Sequence, residues 1–159
     1  MKKYRVFEIG LLAFFADFVS KYVVSSKMII NDSKCIINNF LYIRHVHNTG
    51  IAFSFLEGNR GLIIILCIFV MYYIIDYIIK NNITSWMYFF GYGMLFGGAL
   101  GNFFDRIVYG YVIDFIDVRI FGYYYPVFNF ADIFVICGII LIIFDGFGRS
   151  RYNGNSCIS

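Results

Sequence analysis

Four long apolar runs divide the chain. They cover approximately residues 4–24, 61–79, 86–104 and 130–147. A bilayer has a hydrocarbon core about 30 Å thick, which roughly 20 residues of α-helix cross. Each run is long enough for one crossing. The pattern therefore predicts an α-helical polytopic membrane protein with four transmembrane helices.

Two long connections between the runs, residues 25–60 and 106–129, are predicted to emerge on the same side of the bundle. In the first, FLYIRHVH (40–47) and IAFSFL (51–56) flank the turn-forming NTG, which favours two extended stretches. We expect them to form a small extracytoplasmic β-rich region. The second connection carries five tyrosines, whose amphipathic rings favour the headgroup level. We expect an interfacial loop there.

The composition agrees with a single membrane domain. Of 159 residues, 60% are hydrophobic and 14% are charged, which is unlike an ordinary soluble domain. With one proline and no linker-like stretch in the sequence, we expect one integral membrane domain over residues 1–159. The net charge is only +3 and the basic residues are scattered, so no nucleic acid partner is expected.

Polar residues collect at one predicted face. Successive spans alternate in direction, so the ends of spans one and three lie beside the starts of spans two and four. The polar residues at these positions are Asp17, Lys21, Asn102, Asp105, Arg106, Asn129 and Asp132. An ionisable group at membrane depth is costly and is by default a functional-site hypothesis. We expect the site at this face.

The basic N-terminus suggests an orientation. Lys2, Lys3 and Arg5 favour a cytoplasmic N-terminus. An even number of spans returns the C-terminus to that side, so the polar face is expected to be extracytoplasmic. A plain count of basic residues on the two sides is a tie, so charge alone does not fix this orientation.

Two aspartates are candidates for acid–base chemistry. Asp132 either caps the fourth helix or serves a reaction. Asp114 lies among apolar and aromatic residues on the connection that ends beside Asp132. Two adjacent carboxylates cannot both ionise cheaply, so one keeps a proton, and such a pair can activate water. Asp117 and Asp105 are rivals that spacing does not exclude.

Other polar residues could support these acids. Asn102 and Arg106 lie four residues apart on one predicted helix face, and Asn129 precedes the fourth span. They form interhelical hydrogen bonds, or they hold the acids and a substrate carbonyl, with Arg106 paired to a buried acid. Asp17 and Lys21 have the spacing of an i to i+4 ion pair.

A metal site is not expected. His45 and His47 alternate along a predicted strand and point the same way. The sequence has no other histidine and no CxxC pair to complete a ligand set. We expect no metal and no other cofactor.

Three glycines in the third run indicate close helix packing. Gly93, Gly97 and Gly101 recur every four residues. They leave one helix face without side chains, which lets a neighbouring backbone approach.

Five blocks together resemble the bacterial signal peptidase II family, the lipoprotein signal peptidases. They are DFVSK (17–21), NTGIAF (48–53), GGALGNFFDR (97–106), GYVIDF (110–115) and PVFNFAD (126–132). They occur in the family's order on a four-span frame. The resemblance implies an aspartic endopeptidase in the bacterial cell membrane. Its expected partners are membrane lipid and diacylglyceryl-modified prolipoproteins, which it cuts before the lipidated cysteine, and we expect a monomer.

The resemblance also assigns roles to residues. Asp114 and Asp132 match the family's catalytic pair, whereas Asp117 and Asp105 do not. Supporting positions match Asn102, Arg106, Asn129, Asp17, Lys21, Asn48 and Gly50. Phe18 departs from the family, which usually has glutamine there.

Two other functions compete with the peptidase. A proton or ion transporter would relay charge through intramembrane acids, placed at the midplane or in repeated halves. A structural subunit would not require two acids jointly. The clustering of acids at one face, in a sequence without internal repeats, favours the peptidase.

Overall fold

The computed structural model describes residues 4–50, 59–81 and 85–155. Its long helices are α1 (Arg5–Lys27), α2 (Arg60–Lys80), α3 (Trp86–Val108) and α4 (Phe130–Asn155). Each begins within one residue of a predicted run, and α4 extends furthest beyond its predicted end. The four predicted helices are confirmed.

Two helices have the length and composition of a membrane span. They are α2 and the part of α4 from Phe130 to Phe147. α1 and α3 are each 23 residues long, but they carry polar or small residues along their length. Four membrane crossings therefore remain a prediction.

The glycines of α3 bring it against α1. A Cβ added at Gly97 would collide with the carbonyl oxygen of Gly10 and lie 2.8 Å from Ala13 Cβ. One at Gly93 would lie 2.7 Å from a methyl group of Ile9. The predicted packing role of the glycines is confirmed, and it allows polar groups on the two helices to meet.

A second glycine face of α3 packs on α4. A Cβ at Gly98 would collide with the carbonyl oxygen of Ala131, and one at Gly91 would lie 3.0 Å from the carbonyl oxygen of Gly138. Since α3 also contacts α2, it is the centre of the helical bundle.

An antiparallel sheet covers one end of the bundle. Its strands are β1 (Ser33–Ile37), β2 (Leu41–Asn48), β3 (Val112–Ile120) and β4 (Tyr123–Tyr124), paired in that order. The predicted strand 40–47 is confirmed as β2. Its expected partner, 51–56, lies outside the described residues.

Strand β3 corrects the prediction of an interfacial loop for residues 106–129. β3 pairs with β2, and Asp114 lies opposite Val46. Residues 112–117 are all buried, because β3 lies inside the sheet, between β2 and β4, and also contacts α1 and α3. Phe115 and Ile116 pack with Val24 of α1.

The chain then returns to α4 beside Asp114. Phe128 and Ile116 exchange backbone hydrogen bonds of 3.1 and 2.7 Å. This bridge holds the start of α4 against β3, which places Asp132 near Asp114.

We expect Gly97→Ala to destabilise the bundle by about 1–3 kcal/mol, the range for overpacking, because the new methyl group collides with the backbone of α1. Gly61→Ala is the matched control, since a Cβ at this helical position has no neighbour within 4 Å. Thermal unfolding in detergent micelles measures both. Equal midpoints for the two variants would contradict the close α1–α3 contact.

Candidate active site

Asp114 and Asp132 line one cavity of about 470 Å³, where β3 meets the first turn of α4. Asn48, Asn102 and Arg106 line it as well. The first long connection, α3 and α4 all contribute to this cavity. Residues that are distant in sequence thus surround the two aspartates, as predicted.

Asp114 is buried and held by two amides. The residue is 3% exposed. Asn48 Nδ2 donates to Oδ2 at 2.8 Å, and Asn129 Nδ2 donates to Oδ1 at 2.6 Å. Burial raises the pKa of Asp114 to about 7, the neighbouring charge of Asp132 adds to this, and the two amide donors oppose it. Asp114 is therefore poised to hold a proton near neutral pH.

Asp132 is both a helix cap and a cavity residue. Its Oδ2 accepts from the backbone N–H of Asn129 at 3.1 Å, and Asn129 Oδ1 accepts from the N–H of Asp132 at 3.0 Å. This reciprocal pair is a capping box. The other carboxylate oxygen, Oδ1, accepts from Asn102 Nδ2 at 2.7 Å. The two interpretations of Asp132 are therefore compatible.

Asn129 connects the two aspartates. Its side chain is fully buried. Nδ2 donates to Asp114 and also to Asn102 Oδ1 at 3.0 Å. Because Oδ1 caps α4 at Asp132, this one amide fixes both carboxylates relative to each other.

Of the two alternatives for Arg106, the structure shows hydrogen bonds to backbone carbonyls and, within residues 4–50, 59–81 and 85–155, no ion pair with an acid. Among the described residues, its guanidinium donates to the carbonyl oxygens of Asn102 at 3.0 Å and Gly50 at 2.9 Å. The N–H of Gly50 in turn donates to Asn48 Oδ1 at 3.0 Å, which leaves the amide NH₂ group of Asn48 facing Asp114. Arg106 thus orients an amide donor through Gly50.

Lys21 lies behind the cavity with three acceptors. Its Nζ is 2.7 Å from Asp17 Oδ2 and 2.9 Å from Asp105 Oδ2, and it donates to Asn102 Oδ1 at 3.0 Å. The predicted Asp17–Lys21 pair is present. Sequence reasoning missed Asp105 as its second carboxylate partner.

Asp117, the alternative candidate for the catalytic acid, forms an ion pair away from the cavity. Its side chain lies 2.7 Å from the Arg119 guanidinium, which stacks at 3.7 Å over the ring of Tyr42. The residue is only 2% exposed. The ion pair with Arg119 and the sheet therefore bury Asp117.

Phe18, the departure from the family pattern, belongs to an aromatic cluster. Its ring centroid lies 6.1 Å from that of Phe14 and 5.7 Å from that of Phe104. The third pair, Phe14 and Phe104, is 5.6 Å apart. The ring therefore packs α1 against α3 beside Lys21 and has no polar role.

No group of three or more potential metal ligands occurs in the part of the chain that the structure describes. His45 Nδ1 lies 2.9 Å from the carbonyl oxygen of Met28, and the His47 ring stacks on Tyr111 at 3.7 Å. Both rings thus have structural contacts.

A second cavity, of about 340 Å³, adjoins the first. Apolar residues of α2, α3 and α4 line most of it, among them Ile63, Leu95 and Val135. Asn102, Arg106 and Asp132 line both cavities. An apolar group in the second cavity would therefore reach the polar site at Asp132.

Comparisons with a family model, with curated proteins and with solved structures each match most of the chain. Residues 9–148 match the family described as signal peptidase (SPase) II. The lipoprotein signal peptidases of Staphylococcus aureus strains JH9 and Newman are each 40% identical over 145 residues, covering 89% of this chain and 89% of theirs. Two solved structures described as bacterial membrane enzymes have TM-scores of 0.84 and 0.79, at 36% and 37% identity. They cover 91% and 88% of this chain, and 88% and 90% of their own chains.

The pKa of Asp114 predicts a pH dependence of stability. Between its ordinary value of 3.8 and about 7, the folded protein keeps a proton that the unfolded chain releases. The free energy of unfolding should therefore fall as pH rises through this window, by about 1.4 kcal/mol for each unit of pKa difference, and should be level above it.

Thermal unfolding in detergent at a series of pH values measures this effect. Asp114→Asn cannot titrate, so the fall attributable to Asp114 should disappear in that variant. The same slope in both proteins would contradict a raised pKa at Asp114.

Proposed function

Since the chain belongs to the signal peptidase II family, we propose that it is an aspartic endopeptidase. Its substrates are diacylglyceryl-modified prolipoproteins, and it removes the signal peptide by cutting before the lipidated cysteine. One observation carries the proposal. Asp114 and Asp132 line a common cavity, and amide or backbone N–H donors hold both.

The two carboxyl groups divide the acid and base roles. The ionised aspartate takes a proton from a water molecule, and the oxygen of that water attacks the scissile carbonyl carbon. The protonated aspartate donates a hydrogen bond to the carbonyl oxygen and stabilises the tetrahedral intermediate. The C–N bond of that intermediate then breaks, and the amine of the lipidated cysteine leaves with the proton that the first aspartate took from the water.

Asp114 is the better candidate to hold the proton at rest. It is more deeply buried than Asp132, and its pKa is raised to about 7 chiefly by that burial. Asp132 lies in the first turn of α4, where the positive end of the helix dipole favours a carboxylate. The roles exchange as the reaction proceeds.

The amides keep both carboxylates in place without adding charge. Asn129 and Asn48 donate to Asp114, and Asn102 donates to Asp132. Preorganised donors of this kind stabilise developing charge at little reorganisation cost. Arg106 fixes the backbone of Gly50 and Asn102, which positions two of these amides.

The proposed setting is a multi-pass protein of the bacterial cell membrane. All four helices cross, both termini are cytoplasmic, and the sheet and active site lie at the extracytoplasmic face. The exposed side chains of the β3–β4 hairpin support an interfacial position for its tip. Phe121, Tyr123 and Tyr124 are 96%, 76% and 73% exposed, and aromatic rings favour the headgroup level.

The adjoining cavities suit a substrate with a lipid and a peptide part. Apolar side chains of α2, α3 and α4 line the second cavity, which meets the polar one at Asp132. A substrate entering sideways from the bilayer would keep its apolar part in hydrocarbon-like surroundings. Its scissile bond would lie beside the two aspartates.

We expect the purified enzyme to cleave a diacylglyceryl-modified prolipoprotein directly before the modified cysteine and to leave the unmodified precursor uncut. The apolar cavity beside Asp132 gives the physical reason. Mass spectrometry of the products, with and without EDTA, measures the cut site and any metal requirement. Equal cleavage of both precursors would exclude lipid recognition, and loss of activity in EDTA that zinc restores would overturn a metal-free mechanism.

We expect Asp114→Asn and Asp132→Asn each to abolish cleavage while the protein still inserts, because each removes a carboxyl that must give or take a proton. The double variant should be hardly slower than either single one, since the two residues act as a unit. Initial cleavage rates at equal membrane abundance measure this.

Asp117→Asn is the control, because Asp117 pairs with Arg119 outside the cavity. It should retain most activity. An inactive Asp117→Asn beside an active Asp114→Asn would refute the assignment. If all three acids were dispensable, the chain would not be an aspartic protease, and proton flux in vesicles would test the transporter alternative.

A further inference from the structure

Each carboxylate partner of Lys21 also holds a backbone N–H group. Asp17 Oδ1 accepts from the N–H of Ala131 at 2.8 Å. Asp105 Oδ2 accepts from the N–H of Ile113 at 3.2 Å. Ala131 immediately precedes Asp132, and Ile113 immediately precedes Asp114. The two segments that carry the aspartates are therefore attached to one buried lysine.

We propose that Asp17, Lys21 and Asp105 form a positioning hub that sets the separation of Asp114 and Asp132. This inference rests on the function proposed above and adds residues that act through others. Lys21 does not line the cavity. Its side chain is 2% exposed, and those of Asp17 and Asp105 are 1% and 4% exposed.

Electrostatics makes the hub rigid. A buried ammonium group without acceptors is strongly unfavourable, so Lys21 holds both carboxylates close. Ion pairing leaves each carboxylate able to accept a further, charge-assisted hydrogen bond from the backbone. The space is limited as well, since a Cβ at Gly101 would lie 2.5 Å from Asp17 Oδ2.

The bond to Ala131 replaces one that the helix lacks. Ala131 is the second residue of α4, and the first four N–H groups of a helix have no acceptor within it. Asp17 supplies that acceptor from α1. The first turn of α4, with Asp132 in it, is thereby fixed to α1.

Lys21 also orients an amide that contacts the site. It donates to Asn102 Oδ1, so the NH₂ group of Asn102 faces Asp132. The reversed amide would direct its oxygen at a carboxylate. Lys21 thus acts on Asp132 through both Asp17 and Asn102.

The test compares variants that keep or remove the oxygen acceptor. Asp17→Asn and Asp105→Asn retain an oxygen for the backbone N–H, whereas Asp17→Leu and Asp105→Leu have similar size and no acceptor. Asp76→Asn is the matched control, because Asp76 and Lys80 form an i to i+4 pair in α2 with Lys80 70% exposed. The readouts are kcat, KM and the pH profile on the lipidated precursor.

We expect the leucine variants to lose about 100-fold in kcat, the cost of misplacing catalytic groups by about 1 Å, with KM nearly unchanged. Separation of the aspartates would weaken their coupling, so the two apparent pKa values of the bell-shaped profile should converge. The asparagine variants should recover most of kcat and the wild-type profile. Loss of folded protein alone would lower the rate without narrowing the profile.

A second measurement applies if a leucine variant does not insert. In the wild-type protein, the Ala131 amide should exchange slowly with deuterium despite its position in the first helical turn. Asp17→Asn keeps an oxygen acceptor for this amide and should leave its exchange slow. Rapid exchange in the wild type would overturn the hub. Leucine variants with unchanged kcat and an unchanged pH profile would also overturn the hub. Asparagine variants as impaired in kcat as the leucine variants would do the same.

Different experimental results would refute the positioning hub and the proposed function. If the wild-type enzyme cleaves and Asp114→Asn does not, the function stands and the hub variants decide the hub alone. If the wild-type enzyme does not cleave, the proposed function fails and the positioning claim falls with it.

Discussion

Two carboxyl groups that line one cavity cannot both carry a negative charge at low cost. This constraint explains the surroundings of Asp114 and Asp132. Their direct hydrogen-bond partners within the described chain are amide and backbone N–H groups. A cation in direct contact would favour ionisation of both acids and remove the single proton on which the proposed mechanism depends. The ammonium group of Lys21, which reaches the site through Asn102, is instead balanced by Asp17 and Asp105.

Such a site requires helices that lie unusually close together. Asparagine and aspartate side chains are short, so hydrogen bonds between α1, α3 and α4 form only where the backbones approach. The glycines of α3 permit this on two faces, toward Gly10 on one side and Ala131 on the other. The packing that stabilises the bundle and the geometry of the candidate site therefore have one physical origin.

The sequence predicted the helices well, because long apolar runs separated by polar residues have few alternative structures. It predicted that Asp114 and Asp132 would meet, since both lie at the same end of the bundle. It did not predict β3, whose residues Val112–Ile120 pair with β2, a partner more than sixty residues away. It also missed Asp105 as a partner of Lys21 and the burial of Asp117 against Arg119, because both contacts depend on tertiary placement. A buried lysine's need for more than one acceptor was the available signal for Asp105.

The proposed mechanism requires the pair Asp114 and Asp132 to hold one proton between them at neutral pH, on Asp114 at rest. Infrared spectroscopy of the enzyme with ¹³C-labelled aspartate measures this directly through the carbonyl stretch of a protonated carboxyl group. We expect such a band at pH 7 in the wild-type protein. Replacing either aspartate by asparagine should remove or shift the band, whereas Asp117→Asn should leave it unchanged. A spectrum without a protonated carboxyl at pH 7, or a band unaffected by both active-site replacements, would contradict the proposed mechanism.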